Sequence, residues 1–310
     1  MSVSPRFVLT GPSGWIGQAM LARLAVCLGG TLAGRVTAFA SGARVMTLAS
    51  GEQLEVRDLA TLTPEHVAGA HVIHLAYLTK EKAEELGERA FTDTNLAIDD
   101  AVLAAITGAR PASLFVASSG AAALAAQGSD LHPYGLGKLR QEVRFLQWAK
   151  AAGVPTIAGR IFNVAGPHIN KLKAYALSNF AVQVRDTGAI HIAARLPVFR
   201  SFLHVNDLCD MVIGAAMGGI GRDAPIDLCG GEVLEMIDLA RLVADRSGVD
   251  PQIVRDRVDT GRTSVYLGHF PDTRVLAMET GVALATTAAQ VADTFDWIAA
   301  LMPQDQALLH

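Results

Sequence analysis

Short apolar runs alternate with amphipathic stretches along the first half of this chain. Runs at 6–10, 35–40, 53–56, 71–76, 112–118 and 155–161 predict strands. Mixed patterns at 15–28, 64–69, 81–107 and 134–152, with a short one near 207–217, predict helices. Strand and helix in strict alternation point to an α/β fold built on a doubly wound parallel sheet. The helix from 134 carries start signals. Ser129 and Asp130 precede it and Pro133 suits a first turn. Leu136, Leu139, Val143 and Leu146 mark its expected buried stripe. Gly135 and Gly137 weaken it by roughly 1 kcal/mol each relative to alanine. That cost is acceptable where a ligand or a neighbour needs room. The alanine-rich stretch 120–131 reads as a loop, and after Pro167 the pattern becomes irregular.

Composition narrows the function classes. Of 310 residues about half are apolar and 18% charged, which suits a well-packed enzyme and not a disordered chain. A net charge of −4 gives no electrostatic case for nucleic acid. No apolar run reaches the roughly 20 residues of a membrane span; Arg23 and Gly29-Gly30 interrupt the best one, at 19–34. The first strand begins almost at once, leaving no room for a signal peptide, so a cytoplasmic protein is expected. Cys27, Cys209 and Cys229 are odd in number and far apart. They read as buried, reduced thiols with no metal spacing. His71 and His74 alternate on a strand, and nothing else suggests metal ligands.

Two motifs carry chemistry. After the strand at 6–10 comes Gly11-Pro12-Ser13-Gly14-Trp15-Ile16-Gly17, then a helical pattern. Strand, glycine turn and helix are the context of a dinucleotide site. Gly11 allows the tight turn, Gly14 lets the backbone approach a pyrophosphate, and Gly17 lets the helix pack close. The free amides and dipole of the helix N-terminus then hold the anion. The second motif is Tyr134-x-x-x-Lys138, which sets a phenol and an ammonium on one helix face. A phenol titrates at about 10, too high for ready proton exchange at neutral pH. A neighbouring positive charge lowers that value.

Together these motifs resemble the short-chain dehydrogenase/reductase superfamily, most closely its extended branch of nucleotide-sugar epimerases, dehydratases and ketoreductases. The resemblance spans nearly the whole chain. Val72-Ile73-His74-Leu75-Ala76 looks like the strand beneath the cofactor, and Asn95 matches a helix asparagine of the family. Leu114–Gly120 looks like the strand that delivers the catalytic hydroxyl. Arg160–Pro167 and Arg200–Asp207 resemble the R-x-x-N-x-x-G-P and R-x-F-x-H-V-x-D segments. The resemblance implies a Rossmann domain over 1–166, with 201–221 returning to it, and a smaller substrate-binding lobe mainly over 167–310. It implies Tyr134 as proton donor and acceptor, Lys138 as the group that binds the nicotinamide ribose and lowers the phenol pKa, and Ser119 as the hydroxyl on the reacting oxygen. Counting from the strand end favours Ser119 over Ser118, which stays a substrate-side candidate. Asn163, Arg200 and Arg262 match substrate positions, with Ser264 where the family often has an acid after that arginine. His204 reads as a packing residue. Cofactor contacts fall on Gly11, Gly14, Trp15, Ile16, Gly17, Asp58, Leu59, Leu75, Ala76, Asn95, Tyr134 and Lys138, with Asp58 near adenine. A homodimer through helices near 95–107 and 134–152 is a further implication.

At the end of the second strand an acid would select NAD and a basic group NADP. No acid lies between Arg35 and Ser50, while Ser41 and Arg44 could take a 2′-phosphate. NADP(H) is therefore favoured over NAD(H). Gly120-Ala121 after Ser119 lacks the acid pair of the dehydratases. The leading expectation is NADPH-dependent reduction of a keto group on a nucleotide-linked sugar. The alternatives are a nucleotide-sugar epimerase and a non-catalytic cofactor-sensing protein.

Overall fold

Eight strands form the main sheet in the spatial order Ile226–Leu228, Thr156–Ile161, Ser113–Ser119, His71–His74, Phe7–Thr10, Val36–Ala40, Gln53–Asp58 and Arg44–Thr47. The six from Thr156–Ile161 to Gln53–Asp58 run parallel. They are the six strands read from the sequence, shifted by a residue or two at their ends. Arg44–Thr47 adds an antiparallel edge that the sequence did not announce, because three of its four residues face solvent. The computed structural model describes residues 5–301.

The described residues divide into two compact units. The first takes in the chain up to Ile161 with Cys209–Asp227 and Val275–Val282. Its core joins Val8, Phe39, Val72, Leu114 and Val116 of the sheet to Val102, Ala105 and Ile106 of the helix Glu88–Gly108 and Phe145 of the helix Pro133–Ala152. Truncating any one of the phenylalanines would cost about 3–5 kcal/mol. Chain order reverses beside Phe7–Thr10, whose neighbours are Val36–Ala40 and His71–His74. In sheets of this kind ligands bind off the carboxyl ends of the strands at such a reversal.

Three expectations need correction. The run 81–107 is two helices, Lys80–Leu86 and Glu88–Gly108, parted at Gly87 with φ +78°. Such a φ favours glycine and breaks a helix whatever the surrounding pattern. The stretch 120–131 is not all loop, for Gly120–Ala126 is a helix. Alanine is the best helix former but leaves no apolar stripe to read. The buried stripe of Pro133–Ala152 is Gly135, Lys138, Gln141, Glu142, Phe145 and Ala149, whereas Leu136 is 37% and Val143 47% exposed.

The second unit comprises Phe162–Leu208, Leu228–Arg274 and the described residues from Ala283 to Leu301. It holds small sheets, one of them ordered Leu234–Glu235, Val198–Arg200, Ser264–Tyr266. The helices Ala176–Thr187, Met236–Ser247 and Thr287–Ala300 also belong to it. Arg255 grips Glu235 with two hydrogen bonds of 2.8 and 3.0 Å. Burial pushes the Glu235 carboxyl up, but these bonds and the amides of Val198 and Ile237 outweigh it and hold the group at about 2.

Candidate active site

The glycine turn is fixed by the protein's own backbone at two of its three glycines. Gly11 has φ +76°, and a Cβ there would lie 2.9 Å from the Ala76 amide nitrogen. At Gly17 a Cβ would fall 2.2 Å from the Gly11 carbonyl oxygen. Gly14 differs, since its Cβ would meet only that carbonyl, at 3.7 Å. It caps the helix Trp15–Cys27 without any side-chain hydrogen bond, and the first turn holds no acid. The amides of that turn thus face an uncrowded approach, which fits a pyrophosphate. Trp15 is buried and Ile16 half-buried. Arg44 is exposed and donates to the Ser13 hydroxyl at 3.0 Å, which ties a guanidinium to the glycine turn. Ser41 is exposed one strand away. Asp58 accepts from the Ala60 amide, and Leu59 behind it is buried.

Beyond His71–His74 the chain passes through Leu75, Ala76, Tyr77 and Leu78, all half-buried. Side chains suspend this segment. The Thr10 hydroxyl accepts from the Leu75 and Ala76 amides at 3.2 and 3.1 Å. Asn95 accepts from the Leu78 amide at 2.8 Å and donates to the Phe91 carbonyl. Asn95 therefore shapes the segment, with both ends of its amide engaged.

The strand Ser113–Ser119 ends in two serines with different fates. Ser118 is buried and donates to Glu142 at 2.5 Å. Glu142 also takes a two-pronged contact from Arg160, at 2.9 and 2.8 Å. Ser119 is half-buried at the N-cap of Gly120–Ala126, where its oxygen accepts from the Ala121 amide at 3.2 Å. A Cβ at Gly135 would lie 2.8 Å from the Ala121 carbonyl oxygen, so the start of Pro133–Ala152 packs directly on the residues after Ser119. That start is capped by His132, whose ring nitrogen accepts from the Tyr134 amide; Asp130 accepts from His132 in turn. The helix start that carries Tyr134 and Lys138 thus packs against the carboxyl end of the strand that carries Ser119.

Lys138 is 4% exposed. Its Nζ donates to the Ala117 carbonyl at 2.6 Å and to Gln141 Oε1 at 3.0 Å, and lies 3.8 Å from the Tyr77 ring centroid. Gln141 donates to Asp99 at 2.6 Å. His74 lies 3.3 Å from Asp99 through one ring nitrogen and 2.7 Å from the Thr10 hydroxyl through the other. Burial pulls the Lys138 ammonium down to about 7, and the carboxylates of Asp99 and Glu142 oppose the fall. Asp99, Gln141 and Glu142 were missed in the sequence, where His74 was read only as a strand residue. The signal was present: Lys138, Gln141, Glu142 and Phe145 are spaced i, i+3, i+4, i+7, the period of a buried face.

In the second unit Asn163 donates to the Ser201 carbonyl at 3.2 Å. Arg200 donates to the Phe199 and Ser264 carbonyls and to the Ser264 hydroxyl, and burial draws its guanidinium below the usual value. The serine in place of an acid after Arg262 is thus a partner of Arg200, while Arg262 itself is exposed. His204 bonds Asp293 and the Asn206 amide, a packing role as expected. Of the three thiols Cys209 and Cys229 are buried and Cys27 is exposed, which corrects the expectation for Cys27. Among the described residues no cluster could hold a metal and no helix is long and apolar enough to cross a membrane.

Comparison with known proteins adds three findings. A family model described as the NAD dependent epimerase/dehydratase family matches residues 7–218. A dTDP-L-rhamnose 4-epimerase of Burkholderia thailandensis is 26% identical over 123 residues, 39% of this chain and 34% of that protein. The match thus spans about a third of that curated relative. Two solved structures share the fold over nearly their full length. A UDP-N-acetylglucosamine 4-epimerase from Methanobrevibacter ruminantium M1, in complex with UDP-N-acetylmuramic acid, has a TM-score of 0.76 at 17% identity, covering 96% of this chain and 99% of its own. RMD from Pseudomonas aeruginosa, complexed with NADPH, has a TM-score of 0.69 at 22% identity, covering 96% and 100%.

Proposed function

The chain belongs to the NAD dependent epimerase/dehydratase family, and from that premise we propose that it oxidises or reduces one carbon of a nucleotide-linked sugar, with NADPH-dependent reduction of a keto group as the leading form. The observation that carries this reading is the turn Tyr134–Lys138. A half-buried phenol sits one helical turn from a buried ammonium, beside the strand end that presents Ser119.

A bound nicotinamide supplies the hydride that such a reduction needs. The amides of Gly14, Trp15, Ile16 and Gly17 would hold its pyrophosphate, with Gly11 shaping the turn. Asp58 and Leu59 would meet the adenine, and Leu75 and Ala76, suspended by Thr10 and Asn95, the nicotinamide half. Ser41 and Arg44 would take a ribose 2′-phosphate. The Arg44–Ser13 bond supports that choice, because it holds a cation where no acid competes. Tyr134 gives its proton to the substrate oxygen as negative charge develops there, and Ser119 hydrogen-bonds the same oxygen. Lys138 favours the phenolate that remains by its charge. Asn163, Arg200 and Arg262 of the second unit would take the polar groups of the sugar nucleotide, an arginine fork suiting a diphosphate. A homodimer through the helices Glu88–Gly108 and Pro133–Ala152 is supported by the exposed Leu136 and Val143.

A second reading, epimerisation with retained cofactor, is supported by the family match and by the two relatives named as 4-epimerases. NADPH and a panel of nucleotide keto-sugars separate the two. Loss of absorbance at 340 nm is expected for the reductase, and interconversion without net cofactor oxidation for the epimerase. Tyr134→Phe should lower either turnover by about 100-fold or more. Unchanged turnover in that variant, or no NADPH binding, would reject the leading form.

A further inference from the structure

Tyr77 stands where the suspended segment meets the reacting helix. Lys138 Nζ lies 3.8 Å from its ring centroid, and the ring is nearly perpendicular to Tyr134 at 6.0 Å and to Phe91 at 6.3 Å. The amides before and after it are anchored to Thr10 and Asn95, so the backbone that aims the ring is held from both sides. Across from it, residue 137 is glycine. A Cβ there would lie 2.2 Å from the Tyr77 hydroxyl oxygen but 3.5 Å from the ring carbon that bears it. The hydroxyl thus occupies the place of a side chain at 137, which accounts for a glycine inside a helix.

We propose that Tyr77, matched to Gly137, is a positioning residue of the reaction centre: its ring face holds the Lys138 ammonium and its ring packs at a near-right angle against Tyr134. What Lys138 and Tyr134 do for catalysis rests on the function proposed above; the contact itself does not. A buried ammonium is unfavourable unless compensated, and an aromatic face in a desolvated place is an effective compensation. Charged and titratable groups face Lys138 from three elements. Tyr134 and Glu142 lie on its own helix, Asp99 on Glu88–Gly108 with His74 and Arg144 beside it, and Tyr77 on the suspended segment. The uncharged Gln141 and the Ala117 carbonyl complete the surroundings. Burial, and then the Asp99 charge, push the Tyr77 phenol above its usual range, so it stays protonated and does not compete with Tyr134 for protons.

The test follows the lysine charge directly in the protein without cofactor or substrate. The Cε resonance of Lys138, in protein labelled with carbon-13 lysine and assigned by its loss in Lys138→Met, should titrate near 7. Tyr77→Leu, which keeps the place dry but removes the aromatic face, should lower that midpoint by about one unit. Tyr77→Phe keeps the face and should leave it within a few tenths. Gly137→Ala should displace the tyrosine and shift the midpoint as Tyr77→Leu does. Adding Tyr77→Phe to Gly137→Ala removes the colliding oxygen and should restore it. An unmoved midpoint in Tyr77→Leu, or a Gly137→Ala shift that Tyr77→Phe does not rescue, overturns the proposal. Because no turnover enters the measurement, it can succeed where the proposed reaction fails, and the reverse.

Discussion

The helices Trp15–Cys27 and Pro133–Ala152 serve the same end of the sheet by opposite rules. In the first, every buried residue is apolar or glycine, with Ala19, Met20, Leu21 and Leu24 inside, although Val26 near its end is 66% exposed. It contributes a first turn with no side-chain cap and no acid, and its body only has to pack. In the second, Lys138, Gln141 and Glu142 are inside while Leu136 and Val143 are not. A helix that carries its polar residues inward must find each of them a partner there. The first helix can be designed by apolar pattern; the second is specified by a hydrogen-bond network.

The sharpest way to break this contrast is Glu142→Ala. It takes from the Arg160 guanidinium its two-pronged carboxylate and from the Ser118 hydroxyl its acceptor, and losing one partner of a buried pair costs about 3–5 kcal/mol. Denaturant melts should show that loss, and a change under about 1 kcal/mol would mean the network is ornamental. Next comes the charge of Lys138. Its folded value near 7 lies below the ordinary lysine value of 10.5. Between those limits the unfolded chain binds the extra proton, so stability should rise with pH across that window and fall as pH drops to about 7. The gain should be about 2 kcal/mol between pH 7 and 9, and Lys138→Met should abolish it. A third test separates two glycines of the other helix. Gly17→Ala drives a Cβ into backbone and should cost about 1–3 kcal/mol. Gly14→Ala should stay within about 0.5 kcal/mol in stability yet weaken cofactor binding about tenfold, read by nucleotide fluorescence. The smallest effect on the folded chain is expected from charging the outer face. Leu136→Glu with Val143→Glu should move stability by about 0.5 kcal/mol or less. Sedimentation should nonetheless show a dimer falling to monomer; an unchanged mass would remove this face from the proposed interface.

The same contrast explains what the sequence made legible. The strands Phe7–Thr10, His71–His74, Ser113–Ser119 and Thr156–Ile161 are apolar because they are covered on both faces, and such runs are easy to find. The glycine turn is legible because two of its glycines are steric necessities. The edge strand Arg44–Thr47 escaped because an exposed strand need not be apolar. Gly120–Ala126 escaped because its identity as a helix comes from propensity and the Ser119 cap, not from a stripe. Asp99, Gln141 and Glu142 escaped for a deeper reason. A charge reads as surface until its partners are known, and those partners come from elements far apart in the chain.

The cap on Gly120–Ala126 bears on the direction of proton traffic. A hydroxyl has one hydrogen and two lone pairs. At Ser119 a lone pair is already engaged by the Ala121 amide, so the hydrogen is left to point elsewhere. In the proposed reaction the substrate oxygen is met by that hydrogen as ketone and as alcohol alike. Ser119 in that reaction can steady the oxygen in both directions, and an aliphatic hydroxyl is itself too weak a base to receive the proton. In the proposed reaction the proton of the substrate oxygen then passes through Tyr134, and that reaction has a single door.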